Sequence, residues 1–290
     1  MDLPDQAPTQ PPAPAPTPTL ADLRREIDRI DLAMHELLME RSRIIERLIQ
    51  TKKTGESGSA FRPDREASMM RAIAGRHAGL LPLDTAEGIW RVIIGTFTYV
   101  QAPYAVHADI SGGDAPMRDS ARFHFGFTVP YRPLPDAASV VAAVARSRGD
   151  LGIARIDQGA TAGPWWTALA EPGAPKIIAR LPFIERPDHP AGTPVFVVSK
   201  PLSGPGARDT ILYAARFERW REENRAGIAA AGGEVIASAG IANGLSVLLA
   251  APAAMAPDAV VAAFSDTGAR PSQLIEIGSH AERFHADMSA

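Results

Sequence analysis

Arg41 and Lys52 stand eleven residues apart in a stretch that has no proline or glycine from Leu20 to Thr54. At about 100° per residue, eleven steps of an α-helix return to within about 20° of the same face. The two cations therefore point the same way, three turns apart. Position 41 also falls where the apolar rhythm Leu20, Leu23, Ile27, Ile30, Met34, Leu37, resumed at Ile44 and Leu48, would place another apolar residue. Cations on a side meant for burial are costly unless anions meet them, and few acids occupy matching positions on that row. The chemistry this implies is the holding of an anionic molecule by fixed positive charge. Arg24, seventeen residues before Arg41, projects about 100° away. It is poorly placed to join Arg41 within one subunit, but across an antiparallel or intertwined pair it reaches the partner's site. Stems that snorkel along apolar surface, or one-turn pairs such as Glu40 with Arg43, account more readily for lone cations on a long helix. The wider pattern has to decide.

The elements that would position these residues follow from the spacing. Leu20 to about Thr54 reads as one helix with a coiled-coil-like seam, on the order of 50 Å long at 1.5 Å per residue. It cannot bury that seam alone and needs a partner helix, in our reading from a second subunit. Residues 55–62 form a loop, and Pro63 opens a second helix that runs to about His77. Gly79 and Pro82 break the pattern. Asp84 with Glu87 resembles a capping box, and a third helix runs to about Ala102 before Pro103. Ahead of all this, residues 1–19 carry seven prolines and read as a disordered, partly extended tail.

After Pro103 the texture changes to α/β. Short β-rich pieces fall at 121–128, 151–156, 176–181 and 194–199, with a helical pattern at 135–147. From about 207 onward the order is strand, helix (217–231), strand (234–238), strand (245–250), helix (256–267), strand (273–277). That βαββαβ order suggests a ferredoxin-like module.

Composition narrows the function classes. The 290 residues suffice for two or three domains, and a net charge of −3 points to neither nucleic acid nor an acidic membrane surface. With no cysteine, disulfides, thiolate catalysis and cysteine-ligated metals are excluded. There is no basic-then-apolar leader and no run of about 18 apolar residues, so a cytoplasmic protein is expected. His280 and His285 are too widely spaced for a helical metal pair. Ser203-Gly204-Pro205-Gly206 is a turn without the lysine of a phosphate loop.

The succession Leu23-Arg24, Ile27-Asp28, Ile30-Asp31, Leu37-Leu38, Arg41, Lys52, Arg65-Glu66 and Gln101 resembles the all-helical chorismate mutase class (type II) across residues 20–102. The resemblance implies an intertwined homodimer of three-helix subunits that rearranges chorismate to prephenate. It assigns carboxylate binding to Arg41 and to Arg24 supplied in trans. Lys52 and Gln101 would face the ether oxygen, and Glu66 would accept from the ring hydroxyl with Arg65 beside it. Such a rearrangement needs the reactive conformer held and the ether oxygen's growing negative charge met. It calls for no nucleophile, cofactor or metal. Two residues depart from the family pattern: Arg62 stands where aspartate is frequent, and Phe97 where a serine or another small residue is common.

Residues 110–200 resemble prephenate dehydratase. Ser111-Gly112-Gly113 through Gly126 looks like its opening glycine loop and helix, and Ala138-Ser139-Val140 through Ile156-Asp157-Gln158 like its next helix and strand. The segment from Ala179-Arg180 to Val198 looks like the one that bears its Thr-Arg-Phe signature. That signature is broken, since Thr193 is followed by Pro194 and Val195, and the usual Glu-Asn-Ser reads Asp157-Gln158-Gly159. The final stretch resembles an amino-acid-binding ACT domain whose signature is replaced by Ala237-Ser238-Ala239-Gly240.

The expected architecture is therefore multidomain. It comprises a tail (1–19), an all-α mutase (20–104), a degenerate dehydratase-like α/β domain (105–203) and an ACT-like module (204–290). A mutase with a non-catalytic C-terminal region is the leading expectation. A bifunctional mutase-dehydratase and a non-catalytic, ligand-sensing dimer are the alternatives. Expected partners are chorismate, a second subunit and, through the ACT-like resemblance, an amino-acid effector. Nucleic acid and membrane are not among them.

Overall fold

The structure, a computed structural model, describes residues 18–52, 60–156, 163–202, 206–265 and 269–286. Most of the proline-rich tail, most of the 55–62 loop, the side chain of Lys52, the Asp157–Gly159 stretch and most of the 203–206 turn lie outside the described residues. The chain divides into two compact units, one ending at Thr51 and one beginning at Lys52.

The first unit holds a single helix, α1 (Leu20–Lys52). Thr19 caps it: its Oγ1 accepts from the Asp22 amide at 3.2 Å, and Asp22 Oδ2 accepts from the Thr19 amide at 2.9 Å. This reciprocal exchange satisfies donors that the first turn leaves unpaired. Leu20, Leu23, Ile27, Ile30, Met34, Leu37 and Ile44, the row read from the sequence, are all exposed.

The second unit begins with α2 (Pro63–Arg76) and α3 (Leu83–Gln101). Its sheet carries nine strands: β1 (Val106–Asp109), β2 (Tyr131–Leu134), β3 (Leu151–Arg155), β4 (Lys176–Leu181), β6 (Val195–Ser199), β7 (Thr210–Phe217), β8 (Glu234–Ile241), β9 (Gly244–Pro252) and β10 (Gln273–His280). Their order is β2-β1-β3-β6-β4-β10-β7-β9-β8. Helices α4 (Asp114–Phe125), α5 (Ala137–Arg146), α6 (Glu222–Ala230) and α7 (Pro257–Ala262) and a 3-10 helix (Trp165–Ala170) flank it. A two-stranded pair, β5 (Ile184–Glu185) with β11 (Phe284–His285), lies apart.

The last four strands give the expected βαββαβ order, all antiparallel, with β7 and β9 central and β10 and β8 outside. That is the ferredoxin-like arrangement. These strands continue the same sheet, however, because β10 pairs in parallel with β4 at Gly278 and Ile177. Gly278 has φ 148°, and a Cβ there would strike the Ile177 backbone, so only glycine permits this junction.

Alternation along the strands sorts the cores. One face buries Ala154, Ile177, Phe196, Leu212, Leu248 and Ile277 under α5 and Trp166, in a core that runs through both halves of the sheet. Trp166 donates to Ser246 Oγ at 2.9 Å across eighty residues of chain. On the other face Val106, Leu151, Ile153, Val195 and Val197 pack beneath residues of α2, α3 and α4. A separate core there takes Phe217, Leu249, Val260 and Phe264.

One expected strand is a helix. The apolar alternation at 121–128 suggested β-structure, but Met117, Ser120, Ala121, His124 and Phe125 are the buried positions. That spacing belongs to α4, as the resemblance to a glycine loop and helix implied. The capping box at Asp84 and Glu87 also does not form. α3 starts after Pro82 without a side-chain cap, and Glu87 is wholly buried.

α3 is fixed against α4 by Gly95, where a Cβ would meet the Phe125 backbone, whereas the space around Gly75 on α2 is open. Gly95→Ala should therefore lower the unfolding free energy by roughly 1–3 kcal/mol. Gly75→Ala should raise it by up to about 1 kcal/mol. Urea unfolding of the full chain distinguishes the two; equal effects would show that α3 does not rest on α4.

Candidate active site

The sequence candidates fall on three helices. Arg24 is exposed and Arg41 half-buried on α1, and Lys52 is its last residue. In the other unit, Arg65 and Glu66 are neighbours with opposite fates, because consecutive helical residues project about 100° apart. The buried row of α2 is Pro63, Glu66, Ala67, Met70 and Ile73, so Glu66 is enclosed and Arg65 exposed. Gln101 ends α3 half-buried, its Nε2 donating to the Phe97 carbonyl at 2.9 Å. It lies ten residues beyond Arg91, about 15 Å along the axis.

Glu66 meets a cation on α3. Arg91 Nη1 donates to Glu66 Oε2 at 3.2 Å, and Arg91 Nε lies 3.8 Å from Glu87 Oε1 one turn back. Glu87 Oε2 in turn lies 3.2 Å from His189 Nε2. The Ala191 amide donates to His189 Nδ1 at 2.9 Å. Nδ1 is therefore the acceptor, and in the neutral ring the proton sits on Nε2, aimed at Glu87. The loop that carries His189 is pinned a second time, where Arg186 pairs with Asp84. All four members of the chain Glu66–Arg91–Glu87–His189 are buried.

His124 of α4 stacks on His189, ring centroids 6.1 Å apart, while Phe123 sits edge-on to His189 at 5.0 Å. Burial, then the charge of Arg91 and the neighbouring His189, holds His124 well below the usual histidine range, so it is neutral. Burial pushes the Glu66 carboxyl up to about 7, against the opposing pull of Arg91. The Tyr104 phenol is raised by the same burial and by Glu66. A narrow cleft of about 20 Å³, roughly the room of one water molecule, runs beside Glu66 and Arg91 and is lined across by Arg180, Leu181 and Phe183. The arrangement can hold one carboxylate at the edge of a cleft, poised between its two protonation states near neutrality.

Residues 23–102 match the family model described as chorismate mutase type II. The helical region at 23–102 is a type II chorismate mutase domain. It belongs to a family of isomerases. No curated protein matches the chain. Two solved structures resemble it in part. One, titled "GqqA- a novel type of quorum quenching acylases", has TM-score 0.41 and 15% identity, covering 61% of this chain and 94% of its own. The other, a prephenate dehydratase from Streptococcus mutans, has TM-score 0.37 and 11% identity, covering 62% and 99%. Neither likeness assigns a function to the sheet.

Three residues around the mutase domain's Glu66 were not singled out from the sequence: Arg91, Glu87 in its actual role, and His189. The first two carried a signal, since Glu87 and Arg91 are one turn apart and, after Asp84, are the charged residues of that helix. His189 carried none, because its loop reads only as a turn. Among the described residues no helix is long and apolar enough to cross a membrane, and no group of three or more His, Asp or Glu is placed to hold a metal.

The raised Glu66 carboxyl has a consequence for stability. Its ordinary value is 4.5 and its folded value about 7, so between these the folded state binds more protons than the unfolded one. Unfolding free energy then falls as pH rises through that window. Relative to Glu66→Gln, the natural chain should lose about 2–3 kcal/mol of stability between pH 4.5 and 7.5. Urea titrations of both proteins check this; a pH-independent difference would show that Glu66 is not held protonated.

Proposed function

We propose that the chain is a chorismate mutase acting by electrostatic stabilisation of a pericyclic rearrangement. The observation that carries this is the match over residues 23–102, which includes Arg24, Arg41, Lys52, Arg65, Glu66 and Gln101. Chorismate is a dianion, and its ether oxygen gains negative charge as the bond breaks. Arg41, with Arg24 of the partner subunit, binds the two carboxylates. Lys52 and Gln101 meet the ether oxygen. An amide carries two donors, so Gln101 can reach that oxygen with one and keep Phe97 with the other. Glu66, ionised, accepts from the ring hydroxyl, and Arg65 supplies positive charge nearby. Each contact is stronger at the transition state or fixes the reacting conformer, which is where acceleration arises.

The exposed apolar row of α1 supports the homodimer, because a face of that length requires cover. We keep the boundaries 20–104, 105–203 and 204–290 as functional divisions, with the latter two non-catalytic. Under either alignment of a dehydratase-like signature its arginine is absent, replaced by Pro194 or by Val195, the latter fully buried in β6. The favoured role of both regions is that of a structural or oligomerising appendage; an amino-acid effector is the second reading, from the ACT-like resemblance, and the cytoplasm is the expected place of work.

On purified full-length protein, chorismate should disappear with prephenate accumulating and no phenylpyruvate formed before acid treatment. Phenylpyruvate would make the α/β region catalytic; persistence of chorismate would leave a non-catalytic dimer. Arg41→Ala should abolish turnover while the helical circular dichroism signal persists. Because the ionised form of Glu66 is the acceptor, kcat/KM should rise with pH through about 7. Glu66→Gln should flatten that limb.

A further inference from the structure

The buried chain that ends at Glu66 begins outside the matched mutase segment. Arg91 stands between two carboxylates, 3.2 Å from one oxygen of Glu66 and 3.8 Å from one of Glu87. A single buried guanidinium shared by two acids goes to whichever is less satisfied. His189 meets Glu87 at Oε2 alone, leaving Oε1 without a hydrogen-bond partner, and Arg91 makes its hydrogen bond to Glu66. His189 is itself locked. Its Nδ1 takes the Ala191 amide, Asp188 before it adopts the left-handed φ of 57°, and Arg186 fastens the loop to Asp84.

We propose that His189, supplied by the α/β region, is a positioning residue for the mutase acid Glu66, acting through Glu87 and Arg91. The C-terminal region is then part of the mutase machinery rather than an appendage. This rests on the assignment of Glu66 to the ring hydroxyl of chorismate.

Removing the His189 donor leaves Glu87 buried and under-satisfied, and it draws Arg91 away from Glu66. The groups that face Glu66 are Asp64 on its own helix, Arg91 on α3 and Tyr104 before β1, with Arg180 across the cleft. Of these, Arg91 is the cation in contact with it. Its departure leaves Glu66 mobile and harder to ionise.

The test reads the Glu66 carboxyl directly, by carbon-13 NMR titration of the full chain labelled in glutamate, with Glu66→Gln to assign the signal. His189→Ala should move its midpoint above the natural value, and His189→Gln, whose amide still donates to Glu87, should restore it. Glu87→Gln removes the competing carboxylate, gives Arg91 wholly to Glu66 and should move the midpoint down. Opposite shifts support the relay. Unchanged midpoints, or shifts of the same sign in both variants, overturn it. Should His189→Ala fail to fold, His189→Phe, which keeps a ring in place and removes the donor, takes its role: an upward shift supports the relay and none or a downward one overturns it, since Glu87→Gln lowers the midpoint by loss of charge alone. In the chorismate assay, His189→Ala should lower kcat roughly 10- to 100-fold with KM little changed, and His189→Gln should recover most of it. If the natural chain does not consume chorismate, the mutase reading fails, while the titrations still judge the relay.

Discussion

A guanidinium buried between two carboxylates cannot be left without either of them. Arg91 is 3% exposed as a side chain, and an uncompensated charge at that depth costs several kcal/mol. Its needs tie α2, which brings Glu66, to α3, which brings Glu87. Through His189 they extend to a loop between the sheet's strands. Apolar packing of Met70, Ile73, Ile94 and Phe183 fills the space around this centre, but non-directional packing would tolerate small slides between helices. The ion cluster does not, since each member has one position that satisfies its neighbour.

This constraint explains why the compact unit begins at Lys52 rather than at the end of α3. Two of the three mutase helices share a core with the sheet. Gly95 adds a backbone-to-backbone approach between α3 and α4, and Arg71 of α2 donates to the Glu282 carbonyl at 2.8 Å. α1, by contrast, keeps its apolar row exposed, and the proposed intertwined dimer supplies what covers it.

Much of this was legible in the amino-acid order. The seam of α1, the breaks at Gly79, Pro82 and Pro103, and the βαββαβ succession all came from local periodicity and turn chemistry, which is where such signals reside. Arg41 and Lys52 stood out by spacing as well, whereas Arg65 and Glu66, and the role of Arg24, came only from the family resemblance. What was not legible depends on non-local pairing. The β-rich stretch 121–128 mimicked a strand because Phe123, Phe125 and Phe127 alternate, while the burial of Ala121, His124 and Phe125 follows a helix. The continuity of the sheet rests on one parallel contact at Gly278, a residue with no periodic signature. Glu87 looked like a cap because it stands three residues after Asp84; its real partner is a histidine about one hundred residues later.

In the proposed mutase, fixed charges on these helices bind the dianionic transition state of the rearrangement. Calorimetric titration of the full-length protein with a non-reacting bicyclic ether dicarboxylate that mimics that state tests it most directly. Binding should be saturable at one molecule per subunit, tighter than chorismate by about a hundredfold or more, and lost in Arg41→Ala. No binding to the natural protein, or binding undiminished in Arg41→Ala, would contradict it.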